Sequence, residues 1–255
     1  MPISLEMLPR VLASIALVAA AGLISRWQRL DVEKEIGVAT VRAFVQLIAI
    51  GFILNWIFGQ QGPLWVILIA IEMVLVAGVN AGHRGEGVPH SHALAWFAIG
   101  VGTLLTLGSL LLLQVFPFEP RYAIPIAGMV VGNAMNVASL VMARLRDEIS
   151  SQRATIEAAL ALGATGREAV APHLRRALTA AMTPIIDSTR TVGLIQLPGA
   201  MVGMILAGAS PLEAVQLQMI VMYMLTGAAA FTGVTAAYAT YRQFFTRHHQ
   251  LVLPP

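Results

Sequence analysis

Seven apolar runs follow one another along this sequence, most close to the length of a bilayer-crossing helix and nearly free of charge. A hydrocarbon core about 30 Å thick takes roughly 20 apolar residues at about 1.5 Å of rise per residue. The runs lie near Leu8–Ile24, Val38–Phe58, Leu64–Ala81, Ala93–Phe116, Tyr122–Ala143, within Ala177–Ala209, and Leu212–Tyr241. The expected fold is all-α: a polytopic transmembrane helix bundle of about seven spans, with residues 1–255 forming one membrane domain. Only 11% of the residues are charged, against about a quarter in a soluble domain, and no stretch is left for a separate soluble domain. Met1–Arg10 carries Glu6, and the first run ends in Ser25-Arg26-Trp27 without a small-residue cleavage pattern, so it reads as a retained span.

The basic residues orient the bundle. With the N-terminus outside, the inward connections hold Arg26, Arg29, Lys34, Arg42, Arg84, Arg144, Arg146, Arg153, Arg167, Arg175, Arg176, Arg242 and Arg247, which is 13 of 16. Outside stand Arg10 and Arg121, and Arg190 lies near the membrane. The expectation is a multi-pass protein of the cytoplasmic (inner) membrane, N-terminus out and C-terminus in the cytosol. Connections such as Gly59–Pro63 and Pro117–Arg121 are short and hold Pro or Gly, as turns do. The net charge of +3 is too small to suggest nucleic acid, and topology explains it.

Several chemistries are excluded outright. With no cysteine there is no disulfide, thiolate metal site or Cys nucleophile. The one lysine, Lys34, sits in Glu33-Lys34-Glu35, so no G-x-x-x-x-G-K-[ST] loop exists to hold ATP. No His is followed by Glu, and no Ser stands in G-x-S-x-G. The chain is expected not to be an enzyme and to bind no cofactor itself.

The polar stretch of about 144–176 interrupts the apolar pattern. Ile156, Ala159, Leu160 and Leu162-Gly163 make one apolar helix face. Gly163 falls where a helix ends in a left-handed residue. Thr165 with Glu168 three residues on forms a capping-box start for a second helix. The spacing predicts two helices and a turn, either a docking surface or an ordinary amphipathic loop.

Inside the membrane, Pro125, Gly128, Met129, Gly132, Asn133, Asn136 and Ser139 share one face of the fifth span. Two roles fit: a pathway wall where amide oxygens and thioether sulfur meet a cation, or a helix-packing seam. The sixth run is too long for one straight span. It carries Pro184, Asp187, Arg190 and Pro198. Ala177 to about Thr191 is expected partly at the cytosolic interface, and Val192–Ala209 is expected as the span. Asp187 and Arg190, three apart, can pair, either near an inner gate or to fix an elbow. Glu72 in the third span fits a cation ligand, a partner of Arg42 or of an amide, or a protonated acid. Gln46 and Asn80 share that ambiguity. His83, His90 and His92 occupy one inward loop and read first as solvated residues, although imidazole is a common metal ligand. Met201, Met204, Met219, Met222 and Met224 read as packing.

Glu157-Ala158-Ala159, with Gly163 four residues beyond Ala159, resembles the EAA loop of ABC-transporter permeases. Further motifs resemble the FetB-like family of iron-export ABC transporter permeases, to which plant aluminium-tolerance permeases are related. These are Ile124-Pro125-Ile126-Ala127-Gly128-Met129 with Gly132-Asn133-Ala134-Met135, Asp187-Ser188 with Thr191-Val192-Gly193-Leu194, Leu197-Pro198-Gly199, and Ala207-Gly208 with Pro211. The end from Tyr241-Arg242 to His248 completes the match, which runs from about Arg26 to Leu251. The resemblance implies a permease subunit that exports iron or a related metal. A cytosolic EAA-like helix pair would contact a separate ATP-binding subunit through Glu157, Ala158, Ala159, Gly163, Ala164 and Thr165. ATP and Mg would sit on that partner, and two permease copies would assemble with two ATP-binding subunits in the lipid. The substrate-pathway candidates are Met129, Asn133, Asn136, Glu72, Asp187 and Arg190, and the metal ligands are unknown. The alternatives are an ABC importer, an ion-gradient-driven carrier and a membrane scaffold.

Overall fold

The computed structural model describes residues 8–59, 62–246 and 248–252. Glu6, Arg247, the side chain of Arg10, and Gln60 and Gln61 of the second connection lie outside the described residues. The chain divides into two compact units, Met1–Gln61 and Gly62–Pro255.

The first unit is a helical hairpin of α1, Leu8–Trp27, and α2, Glu33–Ile57. Its turn is tied by the buried Ser25, whose hydroxyl accepts from the Val32 N–H at 3.3 Å and donates to Glu33 Oε2 at 3.2 Å. α2 carries an 18-residue apolar stretch with at most two charged side chains, long enough to cross a hydrocarbon core.

The second unit holds α3 (Pro63–Arg84), α4 (Ser91–Leu112), α5 (Pro120–Ser151), α6 (Arg153–Ala161), α7 (Gly166–Thr191), α8 (Gly199–Leu206) and α9 (Pro211–Tyr241), closed by a 3-10 turn at Arg242–Phe244. α3, α5 and α9 each begin with Pro in the first turn, where the missing N–H costs nothing. Asn133 meets Leu225 and Val137 meets Gly233, so α5 and α9 run the same way. Arg84 reaches Asn136 and Met73 lies over Gly128, so α3 runs with them. α4 and α7 run against them, since Trp96 and His92 pack back on Gly78 and Gly82, and His173 meets Glu148. The core between these helices is small and apolar: Ala134, Ala138 and Val141 of α5, Ala229 and Ala236 of α9, Ala95 and Ile99 of α4, Ala177 of α7. Small residues let membrane helices approach closely enough for dispersion to hold them.

Among the described residues, five helices are long and apolar enough to cross a membrane: α2, α3, α4, α5 and α9 with its 3-10 turn. The chain is thus an all-helical, multi-pass membrane protein. One expectation needs correction: Val192–Ala209 is not a continuous span. α7 stops at Thr191, Gly193 turns at φ +81°, and Val192 bridges to Gln196. α8 has only eight residues, about 12 Å. A new helix then starts at Pro211 behind a Ser210–Glu213 capping box. Gly193, Pro198 and Gly208 punctuate a stretch that hydropathy alone had merged.

Candidate functional site

The α6–α7 corner forms as its spacing predicts. Gly163 takes φ +91°. Its N–H donates to the Leu160 carbonyl at 3.0 Å, and the Ala164 N–H donates to the Ala159 carbonyl at 3.1 Å. That pair of bonds is a Schellman ending, which needs a left-handed residue at this point. The second helix opens on the expected capping box. Thr165 Oγ1 accepts from the Glu168 N–H at 3.3 Å, and Glu168 Oε2 accepts from the Thr165 N–H at 2.8 Å. The Thr165 backbone and hydroxyl, with His249 nearby, hold the Glu168 carboxyl below its ordinary range. Glu157 is paired with Arg153 at 2.7 Å along α6, and Glu157, Ala158, Gly163 and Thr165 are exposed, while Ala159 and Ala164 are half-buried. At the tip, Leu162 is 90% exposed.

Two attachments of this corner were not expected from the sequence. Glu148, near the end of α5, accepts from His173 Nδ1 at 3.1 Å and lies 3.6 Å from Arg176, so α5 and α7 are pinned beside the corner. The chain after α9 folds back as a small antiparallel turn, with Phe245 bridged to Leu251 and the Thr246 N–H on the Gln250 carbonyl at 2.9 Å. Gly166 fits against the Phe245 ring, and its N–H donates to His249 Nδ1 at 3.3 Å. Arg167 lies over the Tyr238 ring at 5.5 Å.

The intramembrane candidates do not gather at one place. Met129 packs among Val221, Met224 and Ala228 of α9. Asn133 donates to the Leu225 carbonyl at 2.9 Å, a bond across the α5–α9 seam. Asn136 is exposed and accepts from Arg84 at 3.3 Å. Glu72 is exposed on α3. Asp187 and Arg190 do pair, at 3.7 Å, with both side chains more than half exposed. They stand roughly 30–36 Å along α7 from its start at Gly166, at the far end from the corner. The loop histidines are only partly joined: His83 and His92 meet edge to face, 4.9 Å between ring centroids. Among the described residues, no group of three His, Asp or Glu side chains is placed to hold a metal ion. Met222 packs in the core as read, and it borders a cavity together with Met201 and Met219.

This division separates two substitutions that share one helix face. Asn133→Leu should weaken the α5–α9 seam by about 0.6 kcal/mol and leave transport near the wild-type rate. Asn136→Leu frees Arg84 on the open face and should lower transport several-fold without changing the melting temperature. Flux and Tm measured on both variants check the split; equal flux losses would refute it.

Comparison with known proteins places this geometry in context. A family model described as "Uncharacterised protein family (UPF0014)" matches residues 8–245. The chain is 49% identical over 239 residues to "UPF0014 membrane protein STAR2" of Oryza sativa subsp. japonica, covering 94% of this chain and 84% of that one. It is 49% identical over 239 residues to "Protein ALUMINUM SENSITIVE 3" of Arabidopsis thaliana, covering 94% and 88%. It is 38% identical over 240 residues to "Probable iron export permease protein FetB" of Escherichia coli (strain K12), covering 94% and 93%. No solved structure matches the chain.

Proposed function

The chain belongs to the UPF0014 family, and from that premise we propose that it is the permease subunit of an ABC transporter exporting iron or a related metal across the cytoplasmic membrane. The observation that carries the proposal is the α6–α7 corner, a rigid capped turn with Leu162 held outward. That shape suits a coupling element, and the similarity to a protein named a probable iron export permease supports the cargo and the direction. Energy comes from a separate ATP-binding subunit that carries ATP and Mg, since this chain has no P-loop lysine. The basic residues, 13 of 16 in the inward connections on this reading, support an N-terminus outside and a corner in the cytosol. Two permease copies pair with two ATP-binding subunits.

In this arrangement Glu157, Ala158, Ala159, Gly163, Ala164 and Thr165 meet the partner. Closure of the partner pushes on α6, and Glu148–His173 and the length of α7 pass the movement towards the membrane. Each link in that chain is a packed helix or a charge-assisted hydrogen bond, which are the elements able to carry such coupling.

The test is metal content in iron-loaded cells expressing the permease alone, with its ATPase, or with an ATPase lacking its P-loop lysine. Content should fall several-fold only with the intact pair. A fall with the permease alone would mean an ion-gradient carrier, and a rise with the intact pair would mean an importer.

A further inference from the structure

The first N–H groups of a helix have no acceptor within it. At the α6–α7 corner three amides go to side chains instead. The Thr165 N–H goes to the Glu168 carboxylate and the Glu168 N–H to the Thr165 hydroxyl. The Gly166 N–H goes to Nδ1 of His249, 83 residues further along the chain. Gly166 is buried, and a buried donor that loses its partner is costly.

The imidazole is presented by a built element. Phe244 is fully buried, and Phe245 and Leu251 pack on the same core. The Val252 N–H donates to the Phe244 carbonyl at 2.9 Å. Thr246 Oγ1 accepts from the N–H groups of His248 and Gln250, at 3.3 and 3.1 Å. His249 takes φ +58° and donates its own N–H to the Thr246 carbonyl at 3.1 Å. The Phe245 ring occupies the space a side chain at 166 would need, since a Cβ there would sit 2.7 Å from its Cδ1. Ring and imidazole thus address the same glycine.

This turn follows directly on α9, and Tyr238 of α9 lies under Arg167 of α7. The start of α7 is therefore tied to α9, one of the helices long and apolar enough to cross a membrane. A displacement of the corner has a second packed route, one that does not run through the length of α7.

We propose that His249 is a positioning residue of the corner: its neutral imidazole caps α7 from the far end of the chain and joins the corner to α9. Its part in ATP-driven transport rests on the permease reading above. The cap is a property of this chain alone.

The cap depends on a proton. Nδ1 accepts only while it carries no hydrogen, and a protonated imidazole donates from both nitrogens. His249 is exposed, so solvent protons reach it. Acid takes the acceptor from Gly166 and offers the ring to the carboxylates around it, Glu168 of α7 and Glu157 of α6. Glu157 is already paired with Arg153. Glu168 holds the Thr165 N–H, so an imidazolium competes with the capping box itself. His248 is the other titratable group of that cleft, and Arg167 is turned onto Tyr238.

The test reads hydrogen exchange on the full chain in detergent and ATP turnover on its complex with the ATP-binding subunit. His249→Gly takes the left-handed backbone without strain and removes the acceptor. The amides of 163–168 should exchange about tenfold faster, and stimulation of ATP turnover should fall several-fold. His249→Asn also suits a left-handed backbone, offers Oδ1 as acceptor and does not titrate, so it should restore both. From about pH 8 down to about pH 5, where histidine changes charge, wild type should lose protection and stimulation relative to His249→Asn at each pH. Gly166→Ala is the independent variant. Ala is the better helix former, so propensity alone predicts slower exchange, whereas displacement of Phe245 predicts faster exchange at 248–252. Unchanged exchange in His249→Gly, unchanged stimulation despite faster exchange, or one pH profile for wild type and His249→Asn would overturn the proposal. Wild type that gives no stimulation while exchange responds as expected would count against the permease reading alone.

Discussion

Gly163→Val should abolish stimulation of the partner's ATP turnover, by tenfold or more, while the protein still inserts and stays folded. Space is not the obstacle, because a Cβ at 163 would meet nothing within 4 Å. The obstacle is φ +91°, which a β-branched residue adopts only at a cost of about 1–3 kcal/mol. The turn has few means of resisting, since Ile156 is the one buried side chain of α6. The strain is therefore relieved by unwinding the Schellman ending, and Leu162 loses its fixed position. Gly163→Pro adds a second injury by deleting the N–H that bonds the Leu160 carbonyl. The measurement is ATP hydrolysis by the reconstituted complex, with membrane insertion checked on the same preparation. Full stimulation in a properly inserted variant would remove the corner from the coupling route.

Gly102→Val should cost the bundle itself. A Cβ at 102 would sit 1.9 Å from Thr232 Oγ1, 3.0 Å from its Cβ and 3.1 Å from its backbone N. Two of those three atoms do not move with a side-chain rotation, so α4 and α9 must separate. Overpacking of this kind typically costs about 1–3 kcal/mol and more when backbone shifts, a large share of a membrane bundle's cohesion. The variant should give aggregated protein on size exclusion, and Gly102→Ala with Thr232→Ala should recover only part of the folded yield. Gly100→Val is the control on the same helix, because nothing lies within 4 Å of its Cβ. A monodisperse Gly102→Val with the wild-type Tm would contradict the α4–α9 packing.

The long helices could be read from the chain because each is specified by its own residues. A run of apolar side chains near twenty long has only one way to satisfy its backbone in lipid. The corner was legible for a similar reason: Gly163, Thr165 and Glu168 act within one turn of each other. The same local grammar stood at Ser210–Glu213, but the apolar residues on both sides masked it, and the interrupted stretch from Val192 to Ala209 passed for a span. What failed elsewhere was the identity of the neighbour. Spacing puts Asn133 and Asn136 on one face, yet that face meets the Leu225 carbonyl at one residue and Arg84 at the other. Likewise Met201 and Met222 border one cavity from different helices, which no spacing along the chain could show. The fold-back of Phe245 and His249 onto Gly166 joins residues about eighty positions apart and had no local signature at all.

The shortness of α6 bears on how force can travel through this molecule. Its nine residues fall below the length at which an isolated helix holds together in water, about 12–15 residues, and it has no side-chain cap at its start. It is held by tertiary contact instead, with Ile156 in the core and Ala159 and Leu160 against it, while α7 behind it is fixed by its capping box and by His173 on Glu148. In the proposed assembly, a surface closing over Leu162 adds to α6 the burial that so short a helix cannot supply for itself.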